Sequence, residues 1–126
     1  MPLKIKTDKT AKGVYVIAPV GPINYDTYDI LEKETQRIIK KSPQKVVLDM
    51  AGVDYMSSMG VRVILAALKA LKNIKGDLVL VNLQPQIKKV FEIINALPSM
   101  QIFESMAEMD RYLDAMQRKA IAGEEE

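Results

Sequence analysis

The 126-residue sequence contains no cysteine and no histidine. Without cysteine, disulfide frameworks, thiolate metal sites and thiol nucleophiles are all excluded. Without histidine, the chain also lacks the commonest general base, the commonest metal ligand and the usual partner of a catalytic serine. Carboxylates, lysines, tyrosines and hydroxyls remain for chemistry, so we predict no catalytic residue, no metal site and no cofactor. The composition therefore favours a binding protein over an enzyme.

Long apolar runs and a strong excess of charge are also absent. The sequence has 18 basic and 16 acidic residues, a net charge of +2, which is too balanced to favour nucleic acid as a partner. No segment approaches the roughly 20 apolar residues of a membrane span. Residues 1–6 lack the apolar core of a signal peptide. We therefore expect a cytoplasmic protein with no membrane span and no nucleic-acid partner.

The pattern of apolar residues predicts a single α/β domain, as the length also does at roughly 100–200 residues per domain. Period-two and continuous apolar segments predict strands, and segments with apolar residues at helical spacing predict amphipathic helices. The predicted elements are strands at 3–7 and 14–18, a helix near 24–41, a strand at 46–49, a helix at 59–75, a strand at 78–81, a helix from 85 to 97, a strand at 102–103 and a last helix after 105. This order, β-β-α-β-α-β-α-β-α, predicts a small mixed sheet packed against about four helices. We expect the domain to span residues 1–118, with an acidic tail at 119–126.

Some predictions concern single positions on the helices. Asn24 is expected to cap the first helix, and Gly76 is expected to be the left-handed residue that ends the second. The second helix is the most apolar in the chain, with a stripe that we expect to be buried. Truncating Leu65 within that stripe should therefore cost about 2–5 kcal/mol of stability. The stripe comprises Val61, Ile64, Leu65, Leu68 and Leu71.

The segment before this helix has two interpretations. Ser57 and Ser58 lie where a buried strand gives way to the helix, and serine is a preferred N-cap that contributes about 1 kcal/mol. The same position tolerates a phosphoryl group, because a helix N-terminus offers free amides and a partial positive charge. Phosphorylation would turn a neutral surface patch, flanked by Met56 and Met59, into a dianionic one and release a partner packed on it. Both interpretations stay open at this point.

The order of elements and two short segments resemble the STAS domain of anti-sigma factor antagonists, over roughly residues 3–117. The more specific segment reads LDMAGV at 48–53 and SSMG at 57–60, and GPIN at 21–24 is a weaker second match. With Gly60 as the anchor, the resemblance implies that Ser58 is the phosphoacceptor, with Ser57 as second choice. Ser57 and Met59 replace an aspartate and a serine that the family usually has, and Asn24 replaces another aspartate.

The resemblance also implies a function and a set of partners. The chain would bind a serine-kinase anti-sigma factor, be released when that kinase phosphorylates Ser58, and be reset by a serine phosphatase. It would act as a monomer or weak dimer in this partner-switching regulation of transcription. Both Ser58→Ala and Ser58→Asp are expected to fold, since aspartate is as good an N-cap as serine. The expected partner-binding residues are Asn24, Tyr25, Met56, Ser57, Ser58, Met59 and Gly60.

Three alternatives remain. The same fold could serve as a scaffold or sensor subunit that is bound constitutively, which the altered serine motif favours. A small-molecule hydrolase using Ser58 or Asp49 is disfavoured, because no histidine exists and no lysine lies near in sequence to activate the serine. A nucleotide-binding role lacks a glycine-rich phosphate loop to support it.

Overall fold

The computed structural model describes residues 2–96 and 106–122. These residues form an α/β domain in which strands and helices follow the predicted order, so the predicted fold class is confirmed. The strand predicted at 102–103 lies outside the described residues. The strands are β1 (Lys4–Ala11), β2 (Val14–Val20), β3 (Lys45–Asp49) and β4 (Asp77–Val81), and the helices are α1 (Tyr28–Ile39), α2 (Ser58–Asn73), α3 (Pro85–Ala96) and α4 (Met106–Ala122).

The strands form one mixed sheet in the order β1-β2-β3-β4. β1 and β2 are an antiparallel hairpin, while β2, β3 and β4 run parallel. The parallel pairs follow from the connections, because α1 carries the chain from β2 to β3 and α2 carries it from β3 to β4. A row of apolar residues crosses the sheet where Ile17 pairs with Leu48 and Leu48 pairs with Leu80.

The hydrophobic core lies between this row and helices α1 and α2, which also pack against each other. Because α1 and α2 follow β2 and β3 directly, both begin at the edge of the sheet where the parallel strands end. The loops that precede the two helices therefore meet there. The fully buried core side chains include Ile17 and Leu48 from the sheet, Leu31 from α1 and Leu71 from α2.

The face that α2 buries differs from the predicted stripe. Val61, Ile64 and Leu71 are buried, but Leu65 is 42% exposed. Leu65 lies about 100° around the helix axis from Ile64, because an α-helix has 3.6 residues per turn. It therefore lines the side of a groove that Leu68 and Phe91 also line, away from the core. The prediction that Leu65 is a core residue is wrong.

The first helix begins later than Asn24. α1 starts at Tyr28, and Thr27 occupies its N-cap position without making a side-chain cap bond. Asn24 forms the turn before the helix: its side-chain oxygen accepts a bond from the Asp26 amide at 2.9 Å, and its carbonyl accepts one from the Tyr28 amide at 2.9 Å. The predicted cap is thus a turn residue.

The end of α2 also differs from the prediction. Lys75, not Gly76, adopts the left-handed conformation after α2, with φ 62°. Gly76 is needed for another reason, since a Cβ there would lie 2.8 Å from the carbonyl oxygen of Pro43. α4 extends to Ala122, and the domain boundary at 118 stays a prediction. Within the described residues, no helix is both long enough and apolar enough to cross a membrane.

Candidate functional site

Two loops lie side by side where β2 and β3 end. The amide of Ile23 donates to the carbonyl of Tyr55 at 2.9 Å, and the amide of Ser57 donates to the carbonyl of Ile23 at 2.9 Å. These bonds make Ile23 and Met56 a parallel bridge, which continues the sheet beyond its named strands. The bridge brings the turn at Asn24 next to the residues that lead into α2. Two of the predicted partner-binding segments are therefore neighbours in the structure.

The serine pair begins α2, as expected, but its hydroxyls are not on the surface. Ser57 occupies the N-cap position with extended backbone, and Ser58 is the first residue of the helix. Ser57 is 2% exposed and Ser58 is 0% exposed. The Ser57 hydroxyl makes no cap bond, and among the described residues it has no hydrogen-bond partner. Ser57 therefore holds the cap position without the side-chain bond that the N-cap interpretation requires.

The other predicted binding residues divide into exposed and buried ones. Tyr25 is 54% exposed, and Asn24 and Met59 are half-buried. Met56 is completely buried, and Gly60 is also a buried position. The neutral surface patch expected around Ser58 is thus mostly interior, because the bridge between the two loops turns this segment inward.

A residue that the sequence reasoning missed holds this segment from the other side. Gln117 of α4 is 1% exposed. Its side-chain oxygen accepts a bond from the Met56 amide at 2.9 Å, and its side-chain nitrogen donates to the Met56 carbonyl at 2.9 Å. The signal was present in the sequence: Gln117 follows the apolar Leu113 by four positions and so lies on the same side of the last helix, where a polar residue needs a buried partner.

The start of α2 is electrostatically suited to an anion. The first intrahelical bond runs from the Val61 amide to the Ser57 carbonyl at 3.1 Å. The amides of the residues between them therefore have no acceptor within the helix. The first turn contains no acidic residue, so the positive end of the helix dipole is not neutralised there. A phosphoryl group on Ser58 would meet a favourable local field.

The described residues give no support to a hydrolytic centre. The Asp49 carboxylate accepts bonds from the Ala51 amide and the Asn82 side chain, each at 3.1 Å, and so ties the ends of β3 and β4 together. No group of three or more carboxylates that could hold a metal ion occurs in residues 2–96 and 106–122.

Gly60 is expected to tolerate no side chain. A Cβ at this position would lie 2.7 Å from Cγ2 of Ile23 and 2.9 Å from Cγ of Met56. Alanine usually stabilises a helix by about 1 kcal/mol over glycine, but overpacking a filled core costs about 1–3 kcal/mol. We expect the steric cost to exceed the gain in helix propensity, so urea unfolding should show Gly60→Ala to be less stable than the natural protein. A more stable variant would mean that the two loops are not packed on α2.

Comparison with known proteins identifies the family. The STAS domain family matches residues 6–109. The chain belongs to the STAS domain family. BtrV of Bordetella bronchiseptica, which is assigned to the anti-sigma factor antagonists, is 37% identical over 91 residues, covering 72% of this chain and 78% of BtrV.

Solved structures share the fold of this STAS domain. The unphosphorylated form of the anti-sigma factor antagonist SpoIIAA superposes with a TM-score of 0.66 at 19% identity, covering 75% of this chain and 84% of SpoIIAA. The phosphorylated form of the Bacillus cell fate determinant SpoIIAA gives a TM-score of 0.63 at 19% identity, covering 75% of this chain and 86% of that chain. These likenesses support the fold alone. The family match ends at residue 109, so Gln117 lies beyond it.

Proposed function

We propose that this STAS domain is an anti-sigma factor antagonist that is switched by phosphorylation of Ser58. In its unphosphorylated state it binds a serine-kinase anti-sigma factor, and so frees a sigma factor. The observation that carries the proposal is the position of Ser58, the first residue of α2, at a helix N-terminus with no acidic residue in its first turn. The relationship to BtrV supports the same assignment.

In this proposal the partner kinase, and not the STAS domain, catalyses the phosphoryl transfer. The kinase transfers the γ-phosphoryl group of ATP to the Ser58 hydroxyl oxygen, which loses its proton, and ADP leaves. The product carries about −1.5 to −2 charge at neutral pH. A dianion at the centre of the contact repels the bound surface or loses its own hydration there, so the kinase dissociates. A serine phosphatase hydrolyses the phosphoserine and restores binding. The domain itself needs neither catalytic group nor cofactor, and the proposal places it in the cytoplasm as a monomer or weak dimer.

Phosphorylation by the cognate kinase tests this function. The purified protein is incubated with ATP alone and with ATP plus the serine-kinase anti-sigma factor of its host, and intact mass is measured. We expect one added phosphoryl group only when the kinase is present. Ser58→Ala should abolish the addition, while Ser57→Ala, its matched control, should retain it. Addition that survives Ser58→Ala, or hydrolysis of ATP by the protein alone, would overturn the assignment.

A constitutive scaffold or sensor subunit is the second candidate. Its support is the burial of the Ser58 hydroxyl, at 0% exposure, together with Ser57 and Met59 in place of the usual aspartate and serine. This candidate predicts that protein isolated from its own host never carries phosphate. It also predicts that Ser58→Asp still binds its partner.

A further inference from the structure

Met56, Ser57 and Ser58 are buried, and the burial of the Ser58 hydroxyl conflicts with a kinase reaching it. We infer that helix α4 is a lid over the segment Asp54–Ser58, here named the switch loop. Gln117 holds the lid closed, and the Ser58 hydroxyl becomes accessible when α4 undocks. The regulatory meaning of the lid rests on the proposed function, but its existence does not.

The hydrogen bonds of the switch loop show how the lid is held. In an extended segment, successive backbone amides and carbonyls point to opposite edges. Tyr55 and Ser57 pair with Ile23 on one edge. On the other edge, the amide and carbonyl of Met56 both pair with the side chain of Gln117, at 2.9 Å each. The Gln117 side chain thus takes the place of a neighbouring strand.

The hydrogen bonds between Gln117 and Met56 are buried, but water can replace them. The side-chain amide of Gln117 is buried, and it donates one bond to Met56 and accepts one bond from Met56. When α4 moves away, water satisfies the exposed Met56 groups almost as well as the side chain does. α4 packs against α3 and α2, and the sheet order β1-β2-β3-β4 does not involve it. Undocking of α4 can therefore occur while the sheet stays folded, as a local opening below the free energy of global unfolding.

Gln117 lies outside residues 6–109, which the family matches. The lid gives the switch a second control. Unless α4 undocks, the kinase meets a hydroxyl with no exposed surface, so the rate of phosphorylation depends on the fraction of molecules that are open.

Thiol labelling measures the opening directly, because the natural chain has no cysteine. Ser58→Cys places a single thiol at the switch position, and its rate of reaction with a disulfide reagent reports exposure. We expect slow labelling with Gln117 present. Adding Gln117→Ala should accelerate labelling at least about tenfold, because two buried hydrogen bonds are lost. Adding Lys119→Ala, an exposed position on the same helix, should change the rate less than about twofold, as expected of a surface substitution.

A second thiol separates local from global opening. Val46→Cys lies in β3 at a position that is 2% exposed, and its labelling requires unfolding of the sheet. Gln117→Ala should accelerate labelling at position 58 far more than at position 46. Equal acceleration at both positions, or none at position 58, would overturn the lid. If Gln117→Ala folds poorly, Gln117→Glu keeps the size and the acceptor but loses the donor to Met56, and the same comparison applies.

These outcomes are independent of the kinase. If the labelling rate at position 58 does not depend on Gln117, the lid is disproved, even if the kinase modifies Ser58. If the kinase does not modify Ser58, the proposed phosphorylation switch is disproved, even if Gln117 controls the labelling rate.

Discussion

Ser58→Asp is expected to bind the serine-kinase anti-sigma factor at least about tenfold more weakly than the natural protein, a loss of about 1.4 kcal/mol, whereas Ser58→Ala should still bind. A fixed carboxylate at the start of α2 leaves a charge in the contact without a partner, at a cost of several kcal/mol. Titration calorimetry with the purified kinase measures the difference. Equal affinities for all three proteins would mean that Ser58 is not in the contact, and the scaffold function would then stand.

Two variants control for charge and for the neighbouring serine. Gln36→Glu changes the net charge by the same amount at an exposed position of α1 and should leave affinity unchanged. Ser57 was expected from the sequence to contact the partner, but it is 2% exposed. Its hydroxyl has no hydrogen-bond partner among the described residues, so Ser57→Ala should also bind normally. A loss of affinity in Gln36→Glu would assign the effect of Ser58→Asp to net charge.

The structure also changes what Ser58→Asp should do to folding. As a surface cap, aspartate would be neutral at this position. Because Ser58 is 0% exposed, the carboxylate must either displace the residues that cover it or lose its hydration. The helix dipole offsets only about 0.3–1 kcal/mol of that cost. The sequence-based expectation of unchanged folding therefore no longer holds for Ser58→Asp, and its stability has to be measured beside its affinity.

Leu71→Ala is expected to cost about 2–5 kcal/mol of unfolding free energy, the range for truncating a fully buried leucine. Leu71 is 0% exposed and lies on the face of α2 that packs on the core. Leu65→Ala should cost less than about 1.5 kcal/mol, because less apolar surface leaves water at a half-exposed site. Urea unfolding of both variants, which make the same chemical change on one helix, measures the contrast.

The contrast between Leu65 and Leu71 would be contradicted by equal losses. Equal large losses would mean that the groove beside α2 is covered in solution, so that Leu65 is buried after all. Equal small losses would mean that α2 does not pack on the sheet as described.

The identity and order of the elements follow from the sequence, because each is set by local periodicity. The alternation of β1, the β-branched and aromatic residues of β2, the continuous apolar runs of β3 and β4, and the 3.6-residue spacing of α2 are all visible in neighbouring residues. The serine pair at the start of α2 could be located for the same reason. The face that α2 buries could not, since Val61, Ile64, Leu65 and Leu68 are equally apolar, and the partners of the helix decide which of them are covered.

The sequence was enough to predict the order of strands and helices, the lack of cysteine and histidine chemistry, and the position of Ser58 at a helix N-terminus. Whether that serine is exposed depends on contacts in the tertiary structure. Residues that are far apart in sequence pair with the segment that carries it: Ile23 pairs with one edge of the switch loop, and Gln117, 61 positions after Met56, pairs with the other. Local patterns report which conformation a segment prefers. They do not report which distant segment satisfies its backbone, and at the switch loop those distant segments are the loop before α1 and helix α4.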